Sequence, residues 1–340
     1  MELDIEDFDA LRHYLPCQST RGDPVSFTKL IGGISNRAVR VTWADGCGWV
    51  IKQALAKLRA NVDWFSNPDR IRVEAKALRW LNRLAPVGTT PSFAFEDPEH
   101  HLLAMEAIPE GHENWKSVLL SGRIISDHFE QFGGLLGTIH RRSAESGPDI
   151  REEFDDSRYF ESLRLEPYYL YTSQNTPPAA SFLNALAQET LQHKLGLVHG
   201  DFSPKNTLIY RGKLILLDFE VVHFGDPAFD VGFALTHFLS KANHLPEKRA
   251  LLAAAAGSFY RTYLKEVAPL GWDALESRAV RHTLGCLLAR VAGKSRLEYL
   301  TQQEATRQRD AVLFLMANPP SKISDVIAKF IQLIESHAEN

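Results

Sequence analysis

Cysteine is scarce in this sequence. Only Cys17, Cys47 and Cys286 occur in 340 residues, too far apart for a disulfide framework or a spaced metal cluster. A reducing, cytoplasmic setting is expected. An excess of either charge is also missing. Lys and Arg number 38 and Asp and Glu 42, a net charge of -4, without the basic stripe that binding a phosphate backbone needs. A nucleic-acid partner is therefore not expected. No apolar run reaches the roughly 18 residues of a membrane span, and the opening MELDIEDFDA is acidic where a secretory leader is basic and then apolar. A membrane partner is not expected either. Internal repeats and low-complexity tracts are absent, and so is a Walker A loop, because the glycine required five residues before Gly293 is Leu288. What is present, 44% apolar and 24% charged residues, is the balance of a soluble chain long enough for two lobes.

From Val25 to Gln53 the sequence reads as strands: SFTKLIGG, NRAVRVTW, a turn at Ala44-Asp45-Gly46, then GWVIKQ. Between Asp69 and Leu84, apolar Ile71, Ala75, Leu78, Leu81 and Leu84 recur at helical spacing. Extended runs near Ser92 to Phe95 and His101 to Met105 complete an antiparallel sheet before turns at Pro109 and Gly111. Beyond this point helical patterns dominate: Ile125 to Ser143, Ala179 to Lys194, Pro227 to Ser240, Glu247 to Glu266, Trp272 to Ala292 and Ile323 to Ser336. The expected class is α+β, a sheet-plus-helix lobe over 1–107 and a mainly helical lobe over 108–340. Thr172 to Pro178 reads as a flexible loop. One stretch interrupts the helices, Gly196 to Asp218, where short apolar runs alternate with turn residues.

Two motifs lie in that stretch, VHGDFSPKNTLIY from Val198 and LILLDFE ending at Glu220. Singly, Asp201, Asn206 and Asp218 are ordinary turn residues. Together they are the set that phosphoryl transfer from ATP requires: a carboxylate to take the attacking hydroxyl's proton, Asp201, and oxygen ligands for Mg2+, Asn206 and Asp218. His199 fits a loop-orienting role, since the base role falls to the aspartate. Upstream, Lys52 ends the strand GWVIK and Glu74 follows 22 residues later in the helix, a lysine and a glutamate placed to clamp phosphates. The segment IGGISNRAVRV, with Ser35 and Asn36, lies between two strands where amides and small residues cover phosphates.

These residues resemble the aminoglycoside phosphotransferase and choline kinase superfamily, which includes methylthioribose kinases. The resemblance runs over nearly the whole chain and is clearest in HGDFSPKN and LLDFEVVHFGDPAFDVG. It implies a protein-kinase-like two-lobed fold, ATP as co-substrate, an N-terminal nucleotide-binding lobe and a C-terminal lobe that binds a small-molecule hydroxyl acceptor. It further implies Asp201 as the base, Asn206 and Asp218 on Mg2+, Lys52 and Glu74 as the ATP clamp, Met105, Glu106 and Ala107 as the adenine-contacting linker, and Asp230 as a brace of the catalytic loop. Asp218-Phe-Glu220 replaces the Asp-Phe-Gly of protein kinases, and Asp230 follows Asp218 by only twelve residues, which excludes an activation loop. Glu220 is then a candidate second-metal or substrate contact, with a structural carboxylate as the alternative. The strand and loop from VIKQALAKLR through Trp64, Arg70 and Glu74 are similar to those of methylthioribose kinases.

For the acceptor, Arg290 and Lys294 are candidate anchors of an anionic or hydroxyl-rich group, and LRLEPYYLY supplies Arg164, Glu166 and three tyrosines. Sugar-like, amino-alcohol and aminoglycoside acceptors all remain open. A nucleotide-binding pseudokinase with a scaffold role is the alternative, and the complete set of Lys, Glu, Asp, Asn and Asp counts against it.

Overall fold

Alternation of apolar and polar residues organises the first part of the chain. The computed structural model describes residues 3–18, 21–31, 35–59 and 64–336. Gly32 to Ile34, the centre of the glycine-containing segment, lie outside these. Strands β1 (Ser26–Lys29), β2 (Asn36–Thr42) and β3 (Gly48–Ala54) pair antiparallel, and β4 (Phe93–Asp97) and β5 (Leu102–Glu106) extend the sheet in the order β1-β2-β3-β5-β4. Period two sends Val39, Val41, Trp49 and Ile51 to one face. There they bury against Leu11 of helix α1 (Phe8–Tyr14), with Ile5 and Leu15 from its flanks. Lys52, between Ile51 and Gln53, necessarily points to the opposite face.

That second face meets helix α2 (Arg70–Leu84). Its buried stripe of Ile71, Ala75, Leu78, Leu81 and Leu84 is the one expected from sequence, and the same stripe carries Arg70 and Glu74, one turn apart. Asp45-Gly46 makes the β2–β3 turn, where Gly46 has φ of 80° and the Asp45 side chain accepts from Cys47 N at 2.8 Å.

The chain divides into two compact units. Unit 1 is residues up to His112 together with Ile215–Val221, and unit 2 is Glu113–Leu214 and Val222 onward. Asp218 and Glu220 therefore fold with the sheet and α2, although the sequence reading places them in the helical lobe.

Unit 2 is built on helices Ser126–Glu145, Ala228–His244, Arg249–Val267 and Leu275–Ala292. Close backbone approaches fix two of the crossings. A Cβ on Gly133 would lie 2.3 Å from Phe259 O, and one on Gly232 2.6 Å from Thr283 N. Trp115, wholly buried, meets Phe129, Phe132 and Phe238 edge-on, and Phe132 stacks on Phe202 at 3.9 Å between ring centres. Thr172 to Pro178 is not a loop. A helix covers Tyr171–Asn175, a 3-10 turn covers Pro177–Ala179, and Thr172 is fully buried. Helix Gln302–Ala317 was not expected, because its polar sequence buries only a short stripe, and its start is set by a capping box of Thr301 and Glu304. Among the described residues no helix is long and apolar enough to cross a membrane.

Candidate active site

Each unit contributes its own polar constellation. In unit 1, Lys52 reaches from β3 to Glu74 of α2, with Nζ donating to Oε1 at 2.7 Å, and to Asp218 Oδ1 at 2.8 Å. Glu74 is fully buried and also accepts from the backbone N–H of Phe219 at 3.4 Å. Burial opposes the Lys52 charge, yet Asp218 and Glu74 outweigh it and hold its pKa above the ordinary lysine value. Burial pushes Glu74 above the usual carboxylate range despite Lys52. Asp218 sits at φ of 70°, a left-handed conformation that aspartate tolerates better than branched residues.

Beside this lies a second buried pair. Arg70, at zero exposure, donates Nε to Glu220 Oε2 at 3.1 Å and spreads its other nitrogens over the carbonyls of Ser35, Leu55, Ser66 and Asn67. Asn36 Nδ2 donates to the same Glu220 oxygen at 3.1 Å. Ser35, Asn36 and Glu220 are thus brought together by Arg70. The sequence offered Arg70 only as part of a resemblance, and its signal was a basic residue on the apolar stripe of α2, one turn before Glu74. In the linker, Glu106 N donates to Ser92 O and Ala107 N to Gly48 O, both at 2.8 Å, and Met105 is buried.

In unit 2 the strand Gly196–Val198 pairs antiparallel with His223–Gly225 and delivers His199-Gly200-Asp201. Gly200 has φ of 75°, which a side chain would strain. Asp230, wholly buried, accepts from the N–H groups of His199 at 2.6 Å and Gly200 at 2.8 Å, and contacts His140 Nε2 at 3.2 Å. Although burial raises its pKa, His140 and these donors bring it below the usual carboxylate range. Asp201 N donates to His199 Nδ1 at 3.1 Å, so that ring nitrogen is the acceptor and His199 orients the loop. Asn206 Nδ2 donates to Asp201 O at 3.1 Å, which turns its Oδ1 the other way as an oxygen donor.

Arg164 was the residue whose role the sequence left open. It lies on the π-helical turns Glu161–Leu170, donates Nε to Gly200 O at 2.6 Å, and places Nη2 3.0 Å from Asp201 Oδ2. Arg290 and Lys294 are not a pair on one helix face, since the helix ends at Ala292. Arg290 Nη1 donates to Tyr168 Oη at 3.0 Å and Ser295 Oγ at 2.7 Å, while Lys294 Nζ donates to Glu166 at 2.8 Å.

Asn206 and Asp218 supply hard oxygen donors, one or two of which are what Mg2+ takes from protein when phosphates fill the other positions. Asn36 Oδ1, beside Glu220, is buried without a hydrogen-bond partner. This chemistry suits a hard divalent cation and suits no thiolate-loving metal.

Residues 26–270 match the phosphotransferase enzyme family. A methylthioribose kinase of Pectobacterium atrosepticum is 25% identical, over 76% of this chain and 74% of that protein. One from Klebsiella pneumoniae is 26% identical over 61% of this chain, and the match spans only 58% of the relative's length. Among solved structures, an amicoumacin kinase in complex with AMP-PNP and Ca2+ superposes with a TM-score of 0.60 at 16% identity, over 96% of this chain and 97% of that one.

Proposed function

This chain belongs to the phosphotransferase enzyme family, and from that premise we propose that it moves the γ-phosphate of ATP onto a hydroxyl of a small, sugar-like, non-cationic metabolite. It is an ATP-dependent phosphotransferase of protein-kinase-like fold with a hydroxyl acceptor. The observation that carries the residue roles is the Lys52 ammonium between Glu74 and Asp218, the arrangement that positions ATP phosphates in kinases.

Asp201 accepts the acceptor's hydroxyl proton through Oδ1 while Arg164 holds Oδ2. The acceptor oxygen forms its bond to the γ-phosphorus as the bond to the β–γ bridging oxygen breaks, and ADP leaves with that electron pair. Asp230 fixes the loop, so the base is positioned before substrate arrives. Asn206 and Asp218, each within its own unit, would offer oxygen donors to Mg2+, which would neutralise phosphate charge. Ser35 and Asn36 belong to the phosphate-covering segment, Met105 to Ala107 form the adenine edge, and Glu220, itself tied to Arg70, accepts directly from Asn36 and fixes it.

Charge supports this acceptor class. Arg290 of unit 2 donates to the uncharged Tyr168 and Ser295 and would repel a polycationic aminoglycoside or a quaternary ammonium, while Arg164 and Lys294 are paired with Asp201 and Glu166. The methylthioribose kinase relatives point the same way, toward a sugar. Its free cysteines support the expected reducing, cytoplasmic setting.

The test is ADP release with Mg2+ and ATP over methylthioribose, simple sugars, sugar acids, choline and aminoglycosides, with native protein and Asp201→Asn. Turnover on a sugar-like acceptor, reduced at least a thousandfold in the variant, is expected. Turnover confined to choline or aminoglycosides refutes the acceptor class. Nucleotide binding without turnover of any acceptor favours a pseudokinase.

A further inference from the structure

Among the described residues, one buried lysine of unit 2 has no ion-pair partner. Lys241, on the helix Ala228–His244, is at zero exposure, and its one hydrogen bond among the described residues runs to the carbonyl of His237, a turn earlier, at 3.3 Å. An isolated buried cation is strongly disfavoured, so its retention needs a reason. Its Nζ lies 5.3 Å from the centre of the Tyr299 ring, and Lys116 Nζ lies 5.9 Å from the same ring. The Tyr299 hydroxyl and Arg290 Nε are buried without partners. Three cations and a phenol thus converge with unused donors.

The groups that face Lys241 from every side are largely of one sign. His237 and His244 share its helix, Lys116 comes from helix Trp115–Leu120 and Arg290 from helix Leu275–Ala292, while Lys205 bears on His237 rather than on Lys241. Two acids are near. Glu304 is engaged by His244 at 3.1 Å, and Glu298, with a side chain 65% exposed, pairs with Lys116. Burial, then Lys116 and Arg290, press the Lys241 pKa down to about 7, while that of His237 lies well below its ordinary value, chiefly through burial and Lys241.

We infer that Lys241, Lys116 and Arg290, with the Tyr299 hydroxyl, form an anion site that receives a carboxylate or phosphate group carried by the acceptor. Glu298 occupies Lys116 until that group displaces it, at the partly exposed edge of the cluster. The site belongs near the chemistry, because Tyr168, which Arg290 contacts at 3.0 Å, stands one helical turn after Arg164, the partner of Asp201. The anion site itself is independent of the kinase reading; naming the acceptor as its ligand rests on that reading.

Inorganic phosphate and acetate, titrated into the whole protein without nucleotide at constant ionic strength, provide the test. Calorimetry at pH 8 in two buffers of different ionisation enthalpy reads affinity and proton uptake together. Native protein is expected to bind at least one of the two anions with uptake of a proton by Lys241. Lys241→Met, which keeps the buried aliphatic chain and removes the buried amine, is expected to fold and to bind at least tenfold more weakly without proton uptake. Glu298→Gln is expected to bind more tightly than the native protein. No binding beyond that of chloride, or equal affinity in Lys241→Met, overturns the site. In the ADP-release assay the bound anion is expected to compete with the acceptor; binding in the titration without such competition overturns the acceptor's role and leaves a free-anion site. A chain that turns over no acceptor but binds phosphate through Lys241 refutes the kinase reading alone.

Discussion

Replacing Asp230 by asparagine keeps the shape of the side chain and removes its charge. The carboxylate, at zero exposure, receives the N–H of His199 at 2.6 Å, the N–H of Gly200 at 2.8 Å and a contact from His140, which Tyr263 backs at 3.0 Å. An amide accepts one N–H and points its own NH2 at the other. Hydrogen bonds to charged groups contribute about 1.5–3 kcal/mol each, and breaking a buried ionic arrangement costs about 3–5 kcal/mol. A loss of about 4 kcal/mol is a large part of the roughly 5–15 kcal/mol that stabilises a domain. At about 2–4 °C per kcal/mol for a domain of this size, the midpoint falls by about 8–16 °C. The catalytic consequence is local, because the bonded amides immediately precede Asp201. Asp230→Asn should lower kcat at least tenfold and leave KM for ATP within about twofold. The pH signature has a definite sign. The folded pKa of Asp230 is below its unfolded value near 3.9, so its contribution is present above that value and is lost as pH falls through the folded pKa. Native stability should drop more steeply than that of the variant below about pH 4. Thermal melts across pH and steady-state kinetics measure both. A midpoint within about 2 °C of native, with kcat unchanged, would show that the loop is held by something else.

Arg70→Met strands Glu220 beside Asn36 alone, frees the carbonyls of Leu55 and Ser66 and leaves those of Ser35 and Asn67 with only a backbone N–H; a loss of about 3–5 kcal/mol in urea unfolding is expected, and less than about 1 kcal/mol refutes the hub role. Gly232→Ala puts a Cβ 2.5 Å from His282 Cβ and 2.6 Å from the Thr283 N, so the two helices must separate at a cost of about 3 kcal/mol. A melt indistinguishable from native counts against that close approach. Lys241 has a folded pKa of about 7 against about 10.4 unfolded. The unfolded chain then holds the extra proton between these values, and stability is lost as pH falls from about 10 to 7, at up to about 1.4 kcal/mol per unit. Lys241→Met should flatten that slope, and an unchanged slope would place the titration elsewhere.

Periodicity made the elements of unit 1 legible, because strands and α2 each present one apolar face to a core. β3 shows how far this goes: once Trp49 and Ile51 face the core, Lys52 must face α2. The motifs of the proposed site stood out for another reason. His199-Gly200-Asp201, Asn206 and Asp218 lie close together in sequence, so spacing alone reports their set. Partners contributed from far along the chain were not legible. Arg164 precedes Asp201 by 37 residues on π-helical turns with Pro167 inside them, a geometry that leaves no 3.6-residue signature. Lys241 escaped for a similar reason. In an almost wholly buried helix, Ala228–His244, a lysine looks like a surface residue until its neighbours are known. Arg290 and Lys294 were paired by helical spacing, and the helix stops between them.

The thirteen residues from Asp218 to Asp230 contain four acids, and each is tied to a base within its own unit. Asp218 meets Lys52 and Glu220 meets Arg70 in unit 1; Asp226 accepts from Arg278 Nε at 2.8 Å, and Asp230 meets His140, in unit 2. Buried pairs of this kind gain little net stability over apolar residues of equal size, because desolvation offsets the attraction. Their effect is positional. An apolar side chain slides over a core with small penalty, whereas a buried carboxylate that leaves its cation loses several kcal/mol, so each tie holds its backbone to one place. Under the proposed function, phosphoryl transfer would demand this of the segment, since its residues would bear on metal, phosphate and base in sequence, and displacement by an ångström lowers the rate sharply. The short spacing from Asp218 to Asp230 leaves no room for a long mobile insertion between the ties. Each half of the segment is therefore held in place within its own unit rather than left free to switch.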